Sequence, residues 1–421
     1  MFSNGFLNYH GLGIQASYAT DVRTVIGCWS VRRSMFFLVG RKQSLGTELL
    51  AFIAIMVRAA SGWLSARAIR IFPVKPNDAL GTARRLVIPT GVGAASGRLS
   101  ALAPADFCAA VAGGDYHLPV FPAECAAWMD AGPGKFIIDG TLGGGGHSEI
   151  FLKAGARVLG IDRDPEALAH ARGRLAGFGD SFSTWEGNFS RLQEIPGLQH
   201  AGRADGLLLD LGVSTRQLDS PSRGFSFMRE GPLDMRMGPS SPRSAAEVVN
   251  QWSEADLVRI LFEFGEEPKA RRMAAAIVKQ RNVKPLQTTL ELAACIENAV
   301  GRHGRLHPAT RAFQAIRMAV NEELESLAAA LAAVPMVLKP GGRLLIITFH
   351  SLEDRMVKRF LRHRASPFID DPGWPEPRPN PDHQFQLLAR KAITPSAEEI
   401  SLNPRARSAK LRVACLLGSM P

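Results

Sequence analysis

The sequence predicts a doubly wound α/β fold, a mostly parallel sheet packed between helices. Three observations carry this prediction. Short apolar runs without polar alternation recur along the chain, as expected of strands buried on both faces. Helix-like segments separate them. A glycine-rich turn follows the first run directly, where a backbone must approach a ligand closely.

The first run is Lys135-Phe-Ile-Ile-Asp139, followed by the glycine-rich turn and a helical segment to Lys153. Arg157–Asp162 is the second, and Asp164-Pro165 then supplies a helix cap and a first-turn proline. Phe182-Ser-Thr-Trp185 is a weaker third strand, and Gly206-Leu-Leu-Leu-Asp210 a strong fourth. The fifth, Gly342–Phe349, comes after a long gap and a tight Lys339-Pro-Gly-Gly342 turn. Within the gap, Ser253-x-x-Asp256 opens a helix with Leu257, Ile260, Leu261 and Phe264 on one face. Thr288-x-x-Glu291 is a capping box before Leu292, Cys295, Ile296 and Ala299. Residues 221–305 therefore form a helical insertion. One long helix after Pro308 carries Phe313, Ile316, Val320, Leu324, Leu327 and Leu331 at spacings of three and four. Six prolines between Pro367 and Pro381 mark a loop, and Phe385–Lys391 with Lys410–Leu416 closes the sheet as a hairpin.

Residues 1–112 read differently. The first hundred carry twelve Lys/Arg against three Asp/Glu, leaving 38 basic and 36 acidic groups for the rest. The overall charge of +11 thus says little about the body of the protein, where a nucleic-acid surface must be a local patch. The extension shows no sustained strand or helix period and is expected to be disordered or outside the working protein. A translated upstream stretch, an organellar transit segment and a flexible basic arm stay open as readings. Its apolar run Leu49–Val57 is too short to span a bilayer, which needs about 20 residues. Cys28, Cys108, Cys125, Cys295 and Cys415 have neither zinc-site nor disulfide spacing, which suggests a reducing compartment.

In the turn Gly140-Thr-Leu-Gly143-Gly-Gly-Gly146-His147-Ser148, backbone N–H groups at a helix start can face a ligand. Asp162, at the end of the next strand, can accept both hydroxyl protons of a ribose. S-adenosylmethionine and dinucleotides both suit this layout. A G-x-G-x-x-G pattern is missing, because position 148 is serine, and this favours an amino-acid-bearing nucleoside over a pyrophosphate. Asp210 and Ser214, in Asp210-Leu-Gly-Val-Ser214, fall beyond the end of the fourth strand, beside that turn.

With these segments placed, the sequence closely resembles the MraW/RsmH family, whose members methylate N4 of a cytidine in small-subunit ribosomal RNA. The resemblance runs from Tyr116-His-Leu-Pro-Val120 to Asn403–Arg412. Its most specific stretches are Arg223-Gly-Phe-Ser-Phe-Met228, Gly231-Pro-Leu-Asp-Met-Arg-Met237, His307–Arg317 and Phe349-His-Ser-Leu-Glu-Asp-Arg355. It implies a Rossmann-like class I methyltransferase domain made of residues 113–220 and 306–421, with 221–305 recognising RNA. The family's S-adenosylmethionine contacts fall on Gly145, Gly146, His147, Asp162, Phe189, Asp210 and Gln217. One departure stands out: Arg216 replaces a proline usual in the family, which bears on the placement of Gln217.

An exocyclic cytosine amine is a poor nucleophile and must be held in line with the methyl donor. Acceptors for its protons are needed as well. Asp210 and Ser214 are the candidates, followed by His350 just past the fifth strand. For RNA, Arg223 and Arg229 lie with Phe225 and Phe227 where a flipped base could be held. Lys269, Arg272 and Lys279 form a helical stripe, and Arg405 and Arg407 a C-terminal cluster. Neither a metal nor a membrane is expected. The expected partner is ribosomal RNA within the small subunit, and the expected compartment is the cytoplasm, with organellar import as the alternative. A homodimer stays open.

Overall fold

The structure, a computed structural model, describes residues 119–195, 198, 203–302 and 307–418, and the backbone of four strands within residues 3–41. The chain divides into two units, Met1–Ser96 and Gly97–Pro421. In the first, β1 (Ser3–Tyr9), β2 (Ile14–Thr20), β3 (Thr24–Val31) and β4 (Ser34–Arg41) pair consecutively as an antiparallel meander. The sequence showed no sustained strand period here. The other residues up to 118 lie outside those described.

The second unit is built on a seven-stranded sheet. Its strands are β5 (Phe136–Asp139), β6 (Arg157–Asp162), β7 (Phe182–Glu186), β8 (Ala204–Asp210), β9 (Leu338–Thr348), β12 (Phe385–Leu387) and β13 (Lys410–Leu416). The order is β12-β13-β9-β8-β5-β6-β7. All pairs from β9 to β7 are parallel, and β13 runs antiparallel to both β9 and β12. Strands β10 (Phe368–Ile369) and β11 (Arg378–Pro379) form a separate ribbon in the proline-rich loop. The closing hairpin is present, with its first strand shorter than the sequence suggested.

Alternate residues of the central strands feed two cores, which explains their unbroken apolar runs. Ile138, Leu207, Leu209, Leu344 and Ile346 pack on one face with Leu327 and Leu331 of α10 (Glu323–Val337) and Val357 of α11 (Ser351–Arg364). Ile137, Leu208, Leu345 and Ile347 pack on the other with Cys125 of α1 (Pro122–Met129) and Phe151 of α2 (Gly146–Lys153). Asp164 caps α3 (Pro165–Arg174) through Glu166 N, with Pro165 in its first turn.

A third core belongs to the insertion, with α5 (Ala245–Gln251), α6 (Glu254–Glu263), α7 (Ala270–Val283) and α8 (Thr289–Val300). The short α4 (Thr215–Asp219) precedes it. Ser253 caps α6, and the Thr288/Glu291 capping box is formed in both directions.

Two local expectations are corrected. The helix after Pro308 is not continuous: Glu322 turns left-handed (φ 49°) and separates α9 (Ala309–Asn321) from α10. Helix α9 sends Ala309, Phe313, Ile316 and Val320 into the insertion's core, so that packing unit runs past residue 305. A heptad-like apolar pattern cannot register such a break, because both halves keep the same spacing. The Lys339–Gly342 turn lies inside β9, which begins at Leu338. There Gly341 has φ 81° and the register against β8 shifts between Ala204 and Gly206. No helix among the described residues is long and apolar enough to cross a membrane.

Candidate active site

A cleft of about 590 Å³ opens beyond the carboxyl ends of the parallel strands, between the sheet and the insertion. Three adjacent strands each end in a carboxylate there: Asp139 on β5, Asp162 on β6 and Asp210 on β8. Burial opposes ionisation of all three and raises their pKa values, to about 6 for Asp139, about 6 for Asp162 and about 7 for Asp210. Asp139 is fully enclosed and accepts from Ser148 Oγ at 2.7 Å, so it anchors the start of α2. Asp162 lines the cleft while accepting from Gly143 N (2.8 Å) and Asp164 N (2.9 Å). It thereby ties the glycine turn to the strand end and keeps lone pairs for a ligand's hydroxyls.

Asp210 differs in what it lacks. Its side chain is 24% exposed and lines the cleft, with Oδ2 3.8 Å from His147 Nδ1, while Oδ1 has no hydrogen-bond partner. The His147 ring is fixed from its other side, because Nε2 donates to Val120 O at 2.8 Å. His147 lowers the Asp210 pKa, but burial outweighs it, and Asp139 and Glu353 add like-charge repulsion.

His350 is the second incomplete group. It caps α11, with Nδ1 accepting from Glu353 N, so in the neutral ring Nε2 carries the proton. His350 Nε2 lies 3.1 Å from Glu353 Oε1 but out of hydrogen-bond alignment, and is left buried without a hydrogen-bond partner. Burial works against the Glu353 charge. His350, Phe349 N and Arg317 more than compensate and hold its pKa below the ordinary carboxylate value. Among the described residues, Glu323, His350 and Glu353 bring three potential metal-ligand atoms within 4.8 Å of one another. Arg317 already spans Glu323 there with two 2.8 Å hydrogen bonds.

The other predicted site residues fall into distinct positions. Gly146 and Phe189 line the cleft, whereas Gly145 faces away: with φ 78° it caps α2, and a Cβ there would meet Leu175 at 3.0 Å. Ser214 and Gln217 also line the cleft but form the capping box of α4. Gln217 Nε2 further donates to Asp164 Oδ2 at 3.1 Å, so it is held in place although Arg216 precedes it.

Arg223 is committed to the protein, bonding Asp164 Oδ2 at 3.0 Å and the carbonyls of Arg236 and Met237. Phe225 and Phe227 both line the cleft; Phe225 is buried in the insertion's core, and Phe227 packs tilted against His307 and edge-on against Phe313. Lys269 precedes α7 and bonds Val300 O, which takes it off the helical stripe. Arg272, Lys279, Arg229 and Arg407 are exposed. Arg405 borders the cleft and pairs with Asp219 at 2.7 Å.

Of two residues that hold the site together, Asn321 escaped the sequence reading and Asp164 was visible only as a helix cap. Asn321, buried at the end of α9, accepts from Met237 N, Ser241 Oγ and Arg163 Nη2 and donates to Met235 O and Arg317 O. Asp164 joins α3, Gln217 and Arg223. Apart from Arg317 O and the α3 cap, their partners lie 53 to 158 positions away in sequence, beyond the reach of any local motif.

Comparison with known proteins decides the lineage. Residues 115–416 match the model of the MraW methylase family. The chain belongs to this family. A relative from Carboxydothermus hydrogenoformans, named ribosomal RNA small subunit methyltransferase H, is 48% identical over 301 residues, covering 71% of this chain and 97% of its own. Proteins of the same name from Hyphomonas neptunium and Caulobacter vibrioides are 49% and 47% identical, with 71% of this chain covered and 88% and 94% of theirs. A solved rRNA methylase from Streptococcus thermophilus has 10% identity and a TM-score of 0.31, covering 70% of this chain and 94% of its own, too remote to bear on function.

The cleft suits this family's methyl donor, S-adenosylmethionine. A Cβ at Gly140 would stand 2.6 Å from Leu209 Cδ2 and one at Gly146 3.2 Å from the Pro119 ring, so both cleft-lining glycines are packed closely against neighbouring side chains. Asp162 offers acceptors for ribose hydroxyls, Phe189 an apolar face for a purine, and the unpartnered Asp210 Oδ1 a negative group near a sulfonium.

Proposed function

We propose that this chain transfers a methyl group from S-adenosylmethionine to N4 of a cytidine in small-subunit ribosomal RNA, near the decoding centre. One observation carries the reading: among the described residues, the two side chains that keep a buried polar atom without a hydrogen-bond partner, Asp210 (Oδ1) and His350 (Nε2), belong to residues lining the same cleft. One is an acceptor and the other, in its neutral tautomer, a donor. Cytosine presents the complement, an N4 amine that donates and an N3 that accepts. Uracil reverses both groups and would leave two buried polar atoms unpaired, at about 1–3 kcal/mol each.

S-adenosylmethionine, when bound, supplies an electrophilic methyl group and keeps the electron pair of the broken S–C bond. Asp210 Oδ1 accepts a hydrogen bond from the amine, which draws the nitrogen lone pair out of ring conjugation and towards the methyl carbon. As the N–C bond forms, the surplus N4 proton passes to Asp210. Its pKa of about 7 suits a base that must be ionised before transfer and protonated after it. His350 Nε2–H holds the base edge in register, and Ser214 shapes the wall through its cap on α4. Phe227 offers a ring for the flipped base. Arg229, Arg272, Lys279 and Arg407 are exposed for phosphate contact. Lys269, Arg223 and Arg405 act mainly through the protein bonds described above. The substrate on this reading is RNA within the small subunit, in the cytoplasm of a bacterial-type cell.

The test is methyl transfer from labelled S-adenosylmethionine to small subunits lacking the modification, followed by nucleoside analysis. Labelled N4-methylcytidine is the expected product. Cofactor binding with no incorporation would instead mark an RNA-binding assembly factor.

A further inference from the structure

Helix α11 leaves the cleft at His350 and carries a feature that methyl transfer does not use. Both its acids are buried, Glu353 beside His350 and Asp354 paired with Lys410 and Arg412. Arg355, Lys358, Arg359 and Arg362 follow at i, i+3, i+4 and i+7, one helical stripe without an acid. Arg355 reaches Glu266, whereas Lys358, Arg359 and Arg362 are exposed and have no bonding partner among the described residues. Alongside, α10 and α11 frame a second groove of about 520 Å³. Leu331, Met356 and Phe360 give it an apolar lining, and the Arg364 guanidinium lies 5.2 Å over the Phe360 ring.

We propose that this groove and stripe bind a single-stranded segment of the substrate RNA flanking the target cytidine. Bases lie against the apolar lining, and Lys358, Arg359 and Arg362 meet the phosphates. Apolar stacking surface beside unpaired cations is the combination that single-stranded nucleic acid requires. A second copy of this chain fits poorly, because a two-fold contact would set the same cations against each other. With a rise of 1.5 Å per residue, Lys358 lies on the order of 12 Å along the helix from His350, so the bound segment adjoins the flipped base. This inference rests on RNA being the substrate.

The test measures binding of the full chain to a short labelled single-stranded RNA by fluorescence anisotropy across a salt series. Beside it run S-adenosylmethionine calorimetry and methylation of small subunits by the wild type. The triple variant K358Q/R359Q/R362Q is expected to bind more weakly, with its log–log salt slope flatter by about 2, at roughly 0.7 per lost phosphate contact. Ala328 of α10 also lines the groove, and A328W fills it without changing charge. It is expected to weaken binding roughly tenfold, the scale of one lost base stack, with the salt slope kept. Both variants should bind the cofactor as the wild type does, which shows that they fold. If the wild type methylates subunits while both variants bind RNA unchanged, the groove proposal falls alone. If A328W alters sedimentation rather than RNA affinity, the groove is a self-association surface and the proposal falls. If the wild type neither binds RNA nor methylates subunits, the functional reading itself fails and takes the proposal with it.

Discussion

The two walls of the catalytic cleft are built by different means. Most of the cofactor wall is local: a strand end, a glycine turn and a helix start place Asp139, Asp162, Gly146 and His147 within 24 residues of sequence, and Phe189 and Asp210 complete it. The substrate wall is assembled at long range. Asn321 on α9 reaches Arg163 beyond β6 and Met237 of the insertion, while Arg223 reaches Asp164. Cations that look alike in sequence therefore divide into those that build the wall, such as Arg223, and those left free of it, such as Arg229. A charge's use depends on its partners rather than its spacing.

The strongest test of this contrast lies on the cofactor wall. Asp162→Ala removes the ribose acceptor and the tie to Gly143 together. It should weaken S-adenosylmethionine binding about a hundredfold, the scale of lost hydrogen bonds to a charged group, as read by calorimetry. On the substrate wall, Asn321→Ala leaves Met237 N and Met235 O without their partner. A loss of about 2–4 kcal/mol in denaturant-unfolding stability is expected, with each unsatisfied buried group costing about 1–3. Were Asn321→Ala as stable as the wild type, the long-range wall would not depend on that hub.

The arginine pair gives a finer comparison. Arg223→Gln should lower stability by about 1–2 kcal/mol, whereas Arg229→Gln should leave stability within about 0.5 and reduce the salt slope of RNA binding by less than 1. Equal behaviour of the two would erase the distinction.

The buried carboxylates add a dependence on pH. Their folded-state pKa values of about 6, 6 and 7 lie above the ordinary value of 3.8, so the folded protein holds more protons than the unfolded chain between those limits. Stability from these groups is therefore fully present below about pH 4 and is lost as pH rises through about 7. Asp210→Asn, which cannot ionise, should melt several degrees above the wild type at pH 8 without cofactor, and the gap should shrink towards pH 5. A gap independent of pH would show that Asp210 carries no such penalty.

What sequence reveals follows the same division. The parallel strands, the Asp164 and Thr288 caps and the cofactor turn were legible because period, capping chemistry and glycine act over a few residues. Breaking the helix at Glu322 was not, since Phe313 to Leu331 keep one apolar spacing on both sides of it. His350 was visible as a candidate, but not its role as the cap of α11, nor that its Nε2 would be left unpaired. The commitments of Arg223, Lys269 and Arg405 were hidden because their partners are distant in sequence. Asn321, a polar residue at a helix end, gives no local sign that five hydrogen bonds converge on its side chain.

Methyl transfer on this reading depends on Asp210 as the acceptor of the amine proton. The most direct test is kcat/KM for the cofactor, measured on unmodified small subunits from pH 5.5 to 8.5, for the wild type and Asp210→Asn. This parameter reports groups that titrate before the cofactor binds. The expected wild-type profile rises with pH, is half-maximal near 7 and levels off above about 8, while the variant is flat and lower by about 10²-fold or more, the usual contribution of a general base. A variant as fast as the wild type, or with the same pH profile, would contradict it.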